Sequence, residues 1–269
     1  MTALHHWRVG TGTKVDLRAI DPDATPGLEG GRSAADQVLQ SDRDDLAKYQ
    51  DRLWAEAKRS LLVVLQGMDA AGKDGTIKHV FAGVNPQSTH VAVFKEPTPE
   101  ELAHDFLWRV HRAAPRAGEF GIFNRSHYED VVAVRVRRLV PEDVWRARYQ
   151  QIVHFEATLS ASGTTVVKVF LHVSKDEQKK RLEERLSQPD KRWKYNPSDL
   201  DTRAQWHDYQ VAYAEALSQT STDIAPWYVI PADHKWYRNW AISRILIQTL
   251  ADMDPQYPKP SIPKDARIV

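Results

Sequence analysis

The chain has 269 residues, with 37 Lys and Arg against 36 Asp and Glu, a formal net charge of +1, 42% hydrophobic residues and no cysteine. That length and apolar fraction fit an α/β domain of generous size, and the charge balance excludes whole-molecule attraction to polyanions, so any polyanion site must come from local clusters of Lys and Arg. Disulfides, thiolate nucleophiles and cysteine zinc sites are excluded, no apolar run approaches the ~20 residues that cross a bilayer, and the first residues, MTALHHWRVG, lack the order of a secretory signal; a cytoplasmic protein off the membrane is expected.

Residues 1–35 read as an N-terminal extended arm, because 20–35, DPDATPGLEGGRSAAD, is rich in Pro, Gly and Asp. Leu39, Leu46, Tyr49, Leu53 and Trp54 recur at helical intervals and predict an amphipathic helix over 41–58. From there short apolar runs alternate with longer helical stretches. Strands are expected at 61–65, 90–94, 120–123, 165–172 and 227–230, and helices near 74–83, 99–113, 142–160, 174–188, 198–218 and 236–252. This alternation predicts a central parallel sheet of about five strands flanked by helices on both faces, over a domain spanning 36–252. Ligands of such sheets collect at the carboxyl ends of the strands, so the residues just after each run are the candidates for function. No internal repeat is visible, and 253–269, punctuated by proline, reads as an extended tail.

The first strand enters LLVVLQGMDAAGKDGT, whose Gly67, Gly72 and Lys73 have the spacing G-x-x-x-x-G-K of a phosphate-binding loop. Such a loop opens onto a helix, aims backbone N–H groups at one point and adds a mobile ammonium. Ala70, Ala71, Gly72, Lys73, Asp74 and Gly75 are therefore candidate phosphate ligands. The usual hydroxyl after the lysine is replaced by Asp74, and a further carboxylate, Asp69, lies inside the loop. Asp74 has two readings, a water-mediated metal contact or a favourable charge at a helix N-terminus.

After the second strand, Lys95-Glu96-Pro97-Thr98-Pro99 sets Thr98 as a helix cap; it reads equally as a second anion site or as a plain capped helix start. After the third strand, FNRSHYED puts Asn124 where phosphate-loop enzymes usually carry a carboxylate, with Glu129 and Asp130 following. Arg125 offers a planar fork suited to bidentate phosphate contact, whereas His127 reads as a structural group. Past the fourth strand the chain is densely basic. Lys179, Lys180 and Arg181 read as solvated surface charges. Lys191, Arg192 and Lys194, at a helix break, suit a mobile lid over about 176–205 that closes cations over phosphates. Trp193 and Tyr195 are too few for a stacking platform, so no nucleic acid partner is expected. Trp206, Tyr209 and Tyr213 follow helical spacing and read as core.

GMDAAGKDGTIKHV, FNRSHYEDV, DKRWKYNPSDLDTR and APWYVIPADHKWYRNWAISRIL together, in this order and over roughly residues 35–252, resemble the family-2 polyphosphate kinases. The resemblance implies a P-loop kinase-like three-layer fold similar to thymidylate kinase, with a helical lid. It also implies a homo-oligomer (dimer or tetramer), Mg²⁺ dependence with Mn²⁺ as a substitute, and reversible phosphoryl transfer between inorganic polyphosphate and nucleotides. The FNRSHYED variant resembles the subgroup that accepts both AMP and ADP to give ADP and ATP; guanine nucleotides are further acceptors to test. By position, it implies Asp69 and Glu129 at the metal, Lys73 and the loop amides on phosphates, Arg125 on the transferring group, and Asn124 among the catalytic residues. Lys191, Arg192, Lys194 and Arg203 would follow the polyphosphate chain, and Lys95, Glu96, Pro97, Thr98 and Arg109 the nucleotide. The alternatives are an ATP-dependent nucleoside monophosphate kinase of the same fold and a non-catalytic nucleotide or phosphate sensor.

Overall fold

The computed structural model describes residues 6–261; residues 1–5 of the expected arm and 262–269 of the expected tail lie outside the described residues. In chain order the elements are α1 (Gly31–Glu56), β1 (Ser60–Gly67), α2 (Lys73–Val80), β2 (Thr89–Val93), α3 (Pro99–Leu102), α4 (Trp108–Ala113), β3 (Phe120–Asn124), α5 (Glu129–Val136), α6 (Glu142–Ala161), β4 (Thr164–His172), α7 (Lys175–Ser187), α8 (Ser198–Ala204), α9 (Trp206–Thr220), β5 (Trp227–Pro231) and α10 (Lys235–Met253). All five strands pair in parallel in the order β2-β3-β1-β4-β5.

Every residue of β1, β3 and β5 is buried, as is nearly all of β4. Strands buried at consecutive positions have both faces covered, which is why they read as continuous apolar runs instead of alternating ones. Helices α1, α2 and α10 pack together as one layer, and α5, α6 and α9 as the other. The edge strand β2 differs, with Val91 and Val93 exposed. None of the described helices is long and apolar enough to cross a membrane.

The five strands and the main helices lie where the sequence pattern puts them. The departures have local causes. Helix α1 begins ten residues before the expected 41, at a left-handed Gly30 (φ 84°). Its buried face includes Asp42 and Gln50, which break the apolar periodicity; Asp42 accepts from Ser243 Oγ (2.5 Å) and Arg244 Nη1 (2.7 Å) on α10. Trp54, counted toward the apolar face, is exposed. The expected helix at 99–113 splits into α3 and α4, and that at 198–218 splits into α8 and α9 at Gln205, whose ψ of 24° ends the first helix. Helix α5 has no counterpart in the sequence reading.

The segment before α1 is bound to the domain. Val9 N–H donates to Trp227 O and Val229 N–H to Trp7 O, each at 2.8 Å, so the arm pairs along β5 and covers an otherwise open sheet edge. Trp7 is buried edge-on against Tyr237 and Trp240 and donates Nε1–H to the Tyr237 hydroxyl (3.0 Å).

Candidate functional site

The phosphate loop runs from the end of β1, the central strand, into α2. Its first intrahelical bond is Thr76 N–H to Gly72 O (2.9 Å), so the amides of Lys73, Asp74 and Gly75 form the open helix terminus, where aligned dipoles favour anions. Ala70 (φ 62°) and Gly72 (φ 112°) hold the loop in left-handed conformations. The loop is fixed from behind through its carbonyls. Gln178 Nε2 donates to Asp69 O (3.0 Å); Arg181 Nη1 donates to Ala70 O (3.1 Å) and Ala71 O (2.9 Å); Arg238 Nη1 donates to Ala71 O (3.3 Å). Arg181 Nη2 also donates to Ala232 O (2.6 Å) and Asp233 O (2.9 Å), tying the loop to the end of β5. Both guanidiniums are buried, and burial together with the neighbouring Arg181 pulls Arg238 down to about 9. The sequence reading of Arg181 as a solvated charge is therefore corrected. Its cation is buried because loop and strand-end carbonyls gather around it, partners that no local pattern exposes.

Lys73 is buried and donates to Gly67 O (2.7 Å) and Met68 O (3.2 Å). Burial lowers its ammonium to about 8, and the Arg125 charge adds to that; Asp69, Glu129 and Asp74 act in the opposite sense.

At the end of β3, next to β1, Arg125 takes a left-handed conformation (φ 60°), strained for a residue with a side chain, and reaches back across the loop. Its Nη2 donates to Asp69 Oδ1 (2.5 Å), and its Nη1 lies 3.8 Å from Glu129 Oε2. Glu129 chiefly, with Asp69, raises the Arg125 pKa against desolvation, so the guanidinium stays charged. With its amide oriented to satisfy both neighbours, Gln66 donates to Glu129 Oε1 (3.1 Å) and accepts from Ser126 N–H (3.0 Å). Asn124 Nδ2 donates to Asp74 Oδ1 (2.7 Å). Asp74 thus bridges β3 to the loop helix, at the helix N-terminus where its charge is favourable. His127 is buried and donates to Glu156 (3.4 Å), a structural group as expected.

Asp69, Lys73, Asn124, Arg125 and Glu129 are thus brought together by the adjacent ends of β1 and β3. Among the described residues no group of three or more His, Cys, Asp or Glu side chains gathers as a ready metal cage. Asp69 gives Oδ1 to Arg125 and keeps Oδ2, and Glu129 lies on the far side of the same guanidinium. Asp69 Oδ2 is thus the carboxylate oxygen left open there, and a hard divalent ion that draws most of its oxygens from water and phosphate takes as few as one or two carboxylates.

The lid is the end of α7, a 3-10 turn at Arg192–Lys194, and α8. Lys194 Nζ comes within 3.8 Å of Asp74 Oδ2, which brings the lid to the loop. Lys191 and Arg192 stay on the lid itself, Arg192 Nε donating to Leu186 O (2.9 Å). Arg203 Nη1 donates to Lys175 O (2.6 Å) and Gln178 Oε1 (3.1 Å), at the lid's base. Asp199, which sequence reasoning passed over, is buried and bonded to Arg185 Nη1 (3.1 Å); burial and the nearby Asp69 push its carboxyl up to about 6.

On the other side of the loop Arg109 donates to Lys95 O (2.9 Å) and Asp130 Oδ2 (3.3 Å), and Arg137 pairs with Glu96 (3.3 Å). These contacts attach the 95–98 segment to α5, which carries Glu129. The Thr98 hydroxyl accepts from Glu101 N–H (3.2 Å) and the Glu101 carboxylate accepts from Thr98 N–H (2.8 Å), a reciprocal capping box. Of its two readings, the capped helix start is present. Pro97 is half-buried beside it.

The family model described as Polyphosphate kinase 2 matches residues 31–258. Among similar proteins, the AMP/ADP-polyphosphate phosphotransferase of Meiothermus ruber is 52% identical, the match covering 98% of each chain. The ADP-polyphosphate phosphotransferase of Rhodopseudomonas palustris is 41% identical over 94% of this chain and 91% of its own. The crystal structure of Polyphosphate Kinase 2 from Arthrobacter aurescens TC1 superposes with a TM-score of 0.94 at 43% identity, covering 98% of this chain and 94% of the other. With the phosphate loop, the Arg125 bridge and the lid in one arrangement, and with these likenesses over nearly its full length, the chain belongs to the polyphosphate kinase 2 family.

Proposed function

We propose that this chain transfers phosphoryl groups from inorganic polyphosphate to AMP and ADP, giving ADP and ATP, in a reversible reaction open to guanine nucleotides. The observation that carries the reading is the convergence of Lys73, Arg125 and Lys194 on one phosphate loop, cations from three separate elements around one anion site. A polyanionic donor and an anionic acceptor repel each other in a low-dielectric cleft, and positioning with charge neutralisation supplies most of phosphoryl-transfer catalysis.

The open amides of α2 and Lys73 hold phosphate at the loop. An acceptor phosphate oxygen attacks the terminal phosphorus of the donor, the bridging P–O bond breaks, and the shortened polyphosphate keeps the electron pair. The acceptor phosphate, with a second pKa of about 6, is mostly ionised at neutral pH, so no strong general base is required. Arg125 presents a fixed fork toward charge developing on the transferring group, held in place by Asp69 and Glu129. Lys191, Arg192 and Lys194 follow the donor chain, and their closure excludes water. Arg203, with Nη1 on Lys175 and Gln178, is assigned to the lid's base. The 95–98 segment and Arg109 flank the acceptor. Mg²⁺, or Mn²⁺ as a substitute, would be held by Asp69 and Glu129 and would supply charge neutralisation and orientation of the phosphates. We place the protein in the cytoplasm. The chain self-associates as a dimer or tetramer, for which the exposed Val91 and Val93 of the β2 edge are the supporting feature and light scattering the test.

The test is purified protein with Mg²⁺ and polyphosphate, given AMP, ADP, GMP or GDP separately, with products resolved over time. ADP and then ATP forming from AMP with no ATP supplied is the expected result. Activity with ATP and none with polyphosphate would transfer the case to a nucleoside monophosphate kinase, and no product with either donor to a sensor. Asp69→Asn is expected to abolish turnover while melting as wild type; near-normal rates would remove Asp69 from the mechanism.

A further inference from the structure

We propose that Gln178, backed by Arg203, is a positioning pair that sets the main chain at Asp69 according to how the lid is seated. Gln178 lies on α7 and is fully buried. Its amide is used at both ends: Nε2–H donates to Asp69 O (3.0 Å), and Oε1 accepts from Arg203 Nη1 (3.1 Å). Arg203 is the penultimate residue of α8, where the chain returns from the lid. The contacts therefore form a series from lid to amide to the carbonyl of the loop residue whose carboxylate holds Arg125.

The chemistry fixes the direction of the amide. Reversing it would set an NH₂ against a guanidinium and an oxygen against a carbonyl, two repulsive contacts in a buried place. Withdrawal of Arg203 with the lid would leave Oε1 buried without a donor, a cost that Gln178 relieves only by moving. Arg181, one turn further along the same helix face, holds the next two carbonyls, Ala70 and Ala71, but its other partners are Ala232, Asp233 and Glu177. Of the two side chains that α7 lends to the loop, Gln178 is thus the one bonded to the returning lid helix. A further link joins lid and loop at the tip, Lys194 with Asp74 (3.8 Å), while Arg185 with Asp199 (3.1 Å) holds α7 to α8 within the lid. Gln178 acts through Asp69 and is a positioning residue.

The inference rests on the polyphosphate-dependent reading, which wild-type turnover tests by itself; everything below compares variants with a wild type that turns over. The experiment measures kcat and both KM values for wild type, Gln178→Leu, Arg203→Leu and the double variant. It also measures trypsin cleavage within 188–205 with and without polyphosphate. Gln178→Leu is expected to lower kcat by about ten- to a hundredfold with the nucleotide KM within about twofold of wild type. The double variant is expected to fall no further than the worse single one, because the two residues form one link. Polyphosphate should still protect the lid of Gln178→Leu, since Lys191, Arg192 and Lys194 are intact. Unchanged kcat, a loss carried wholly by the nucleotide KM, losses that multiply in the double variant, or abolished lid protection would each overturn the proposal. Should Gln178→Leu fail to fold, Gln178→Glu keeps the bond from Arg203, places an oxygen against Asp69 O, and carries the same expectations.

Discussion

Gly72→Ala probes how tightly the phosphate loop is backed. A Cβ at this residue would stand 1.8 Å from Arg238 Nη1 and 2.8 Å from its Cζ. Arginine side chains usually swing aside at little cost, but this one is buried, with Nη1 on Ala71 O (3.3 Å) and Nη2 on Asn239 Oδ1 (2.8 Å). Displacing it forfeits charged hydrogen bonds of about 1.5–3 kcal/mol each. The left-handed backbone (φ 112°) adds about 1–2 kcal/mol for an L-residue. The expected destabilisation is on the order of 5 kcal/mol, a large share of the whole stability of a typical domain. Gly83 supplies the internal control, because it has a similar backbone (φ 100°) and nothing within 4 Å of its would-be Cβ. Gly83→Ala should cost about 1–2 kcal/mol, the backbone part alone. Urea unfolding of wild type and both variants, with linear extrapolation, gives the difference attributable to Arg238. If the two variants agree within about 1 kcal/mol, Arg238 yields freely and the argument for a rigid backing fails.

Lys73, lowered from 10.5 to about 8, carries its charge below that pH and loses it above. Accordingly kcat/KM for polyphosphate should decline above about pH 8, approaching tenfold per pH unit, while kcat at saturation holds to higher pH because bound phosphate favours the ammonium. A profile flat to about pH 9.5 would remove this role. On the face of the sheet covered by α6 and α9, Lys168 of β4 is fully buried, with Nζ on Glu156 Oε2 (2.6 Å), Thr220 O (2.7 Å) and the Tyr128 hydroxyl (3.0 Å). Lys168→Met strands the Glu156 carboxylate and should cost about 3–5 kcal/mol in urea unfolding, whereas Lys168→Met with Glu156→Gln should cost less than Lys168→Met alone. A double variant worse than the single would contradict an uncompensated charge as the source of the loss.

The strands and the phosphate loop were legible because their signals are local. A run such as Leu61 to Leu65 between charged segments states that both faces are buried, and the spacing of Gly67, Gly72 and Lys73 states a turn onto a helix terminus. Arg125 and Glu129 were legible for a similar reason, as chemistry-bearing residues immediately after a strand of a parallel sheet. The start of α1 was hidden because residues 31–35 continue the Gly-rich stretch that reads as an arm, and only Ala35 and Leu39 of its first ten residues are buried. Asp74 acquired a role only when the neighbouring end of β3 placed the Asn124 amide beside it.

The basic stretch after β4 marks the boundary most clearly. Composition alone made Lys179, Lys180 and Arg181 look alike. The folded chain leaves the two lysines exposed and buries Arg181 among four carbonyls from two separate segments. By itself the sequence determined the strands, the main helices, the parallel sheet and the place of the phosphate loop, because these follow from apolar periodicity and glycine spacing within short windows. Only the tertiary structure decided which cations stay exposed and which, like Arg181 and Arg238, hold the loop from behind. A guanidinium is specified by the acceptors that surround it, and those come from residues that the chain brings together only by folding.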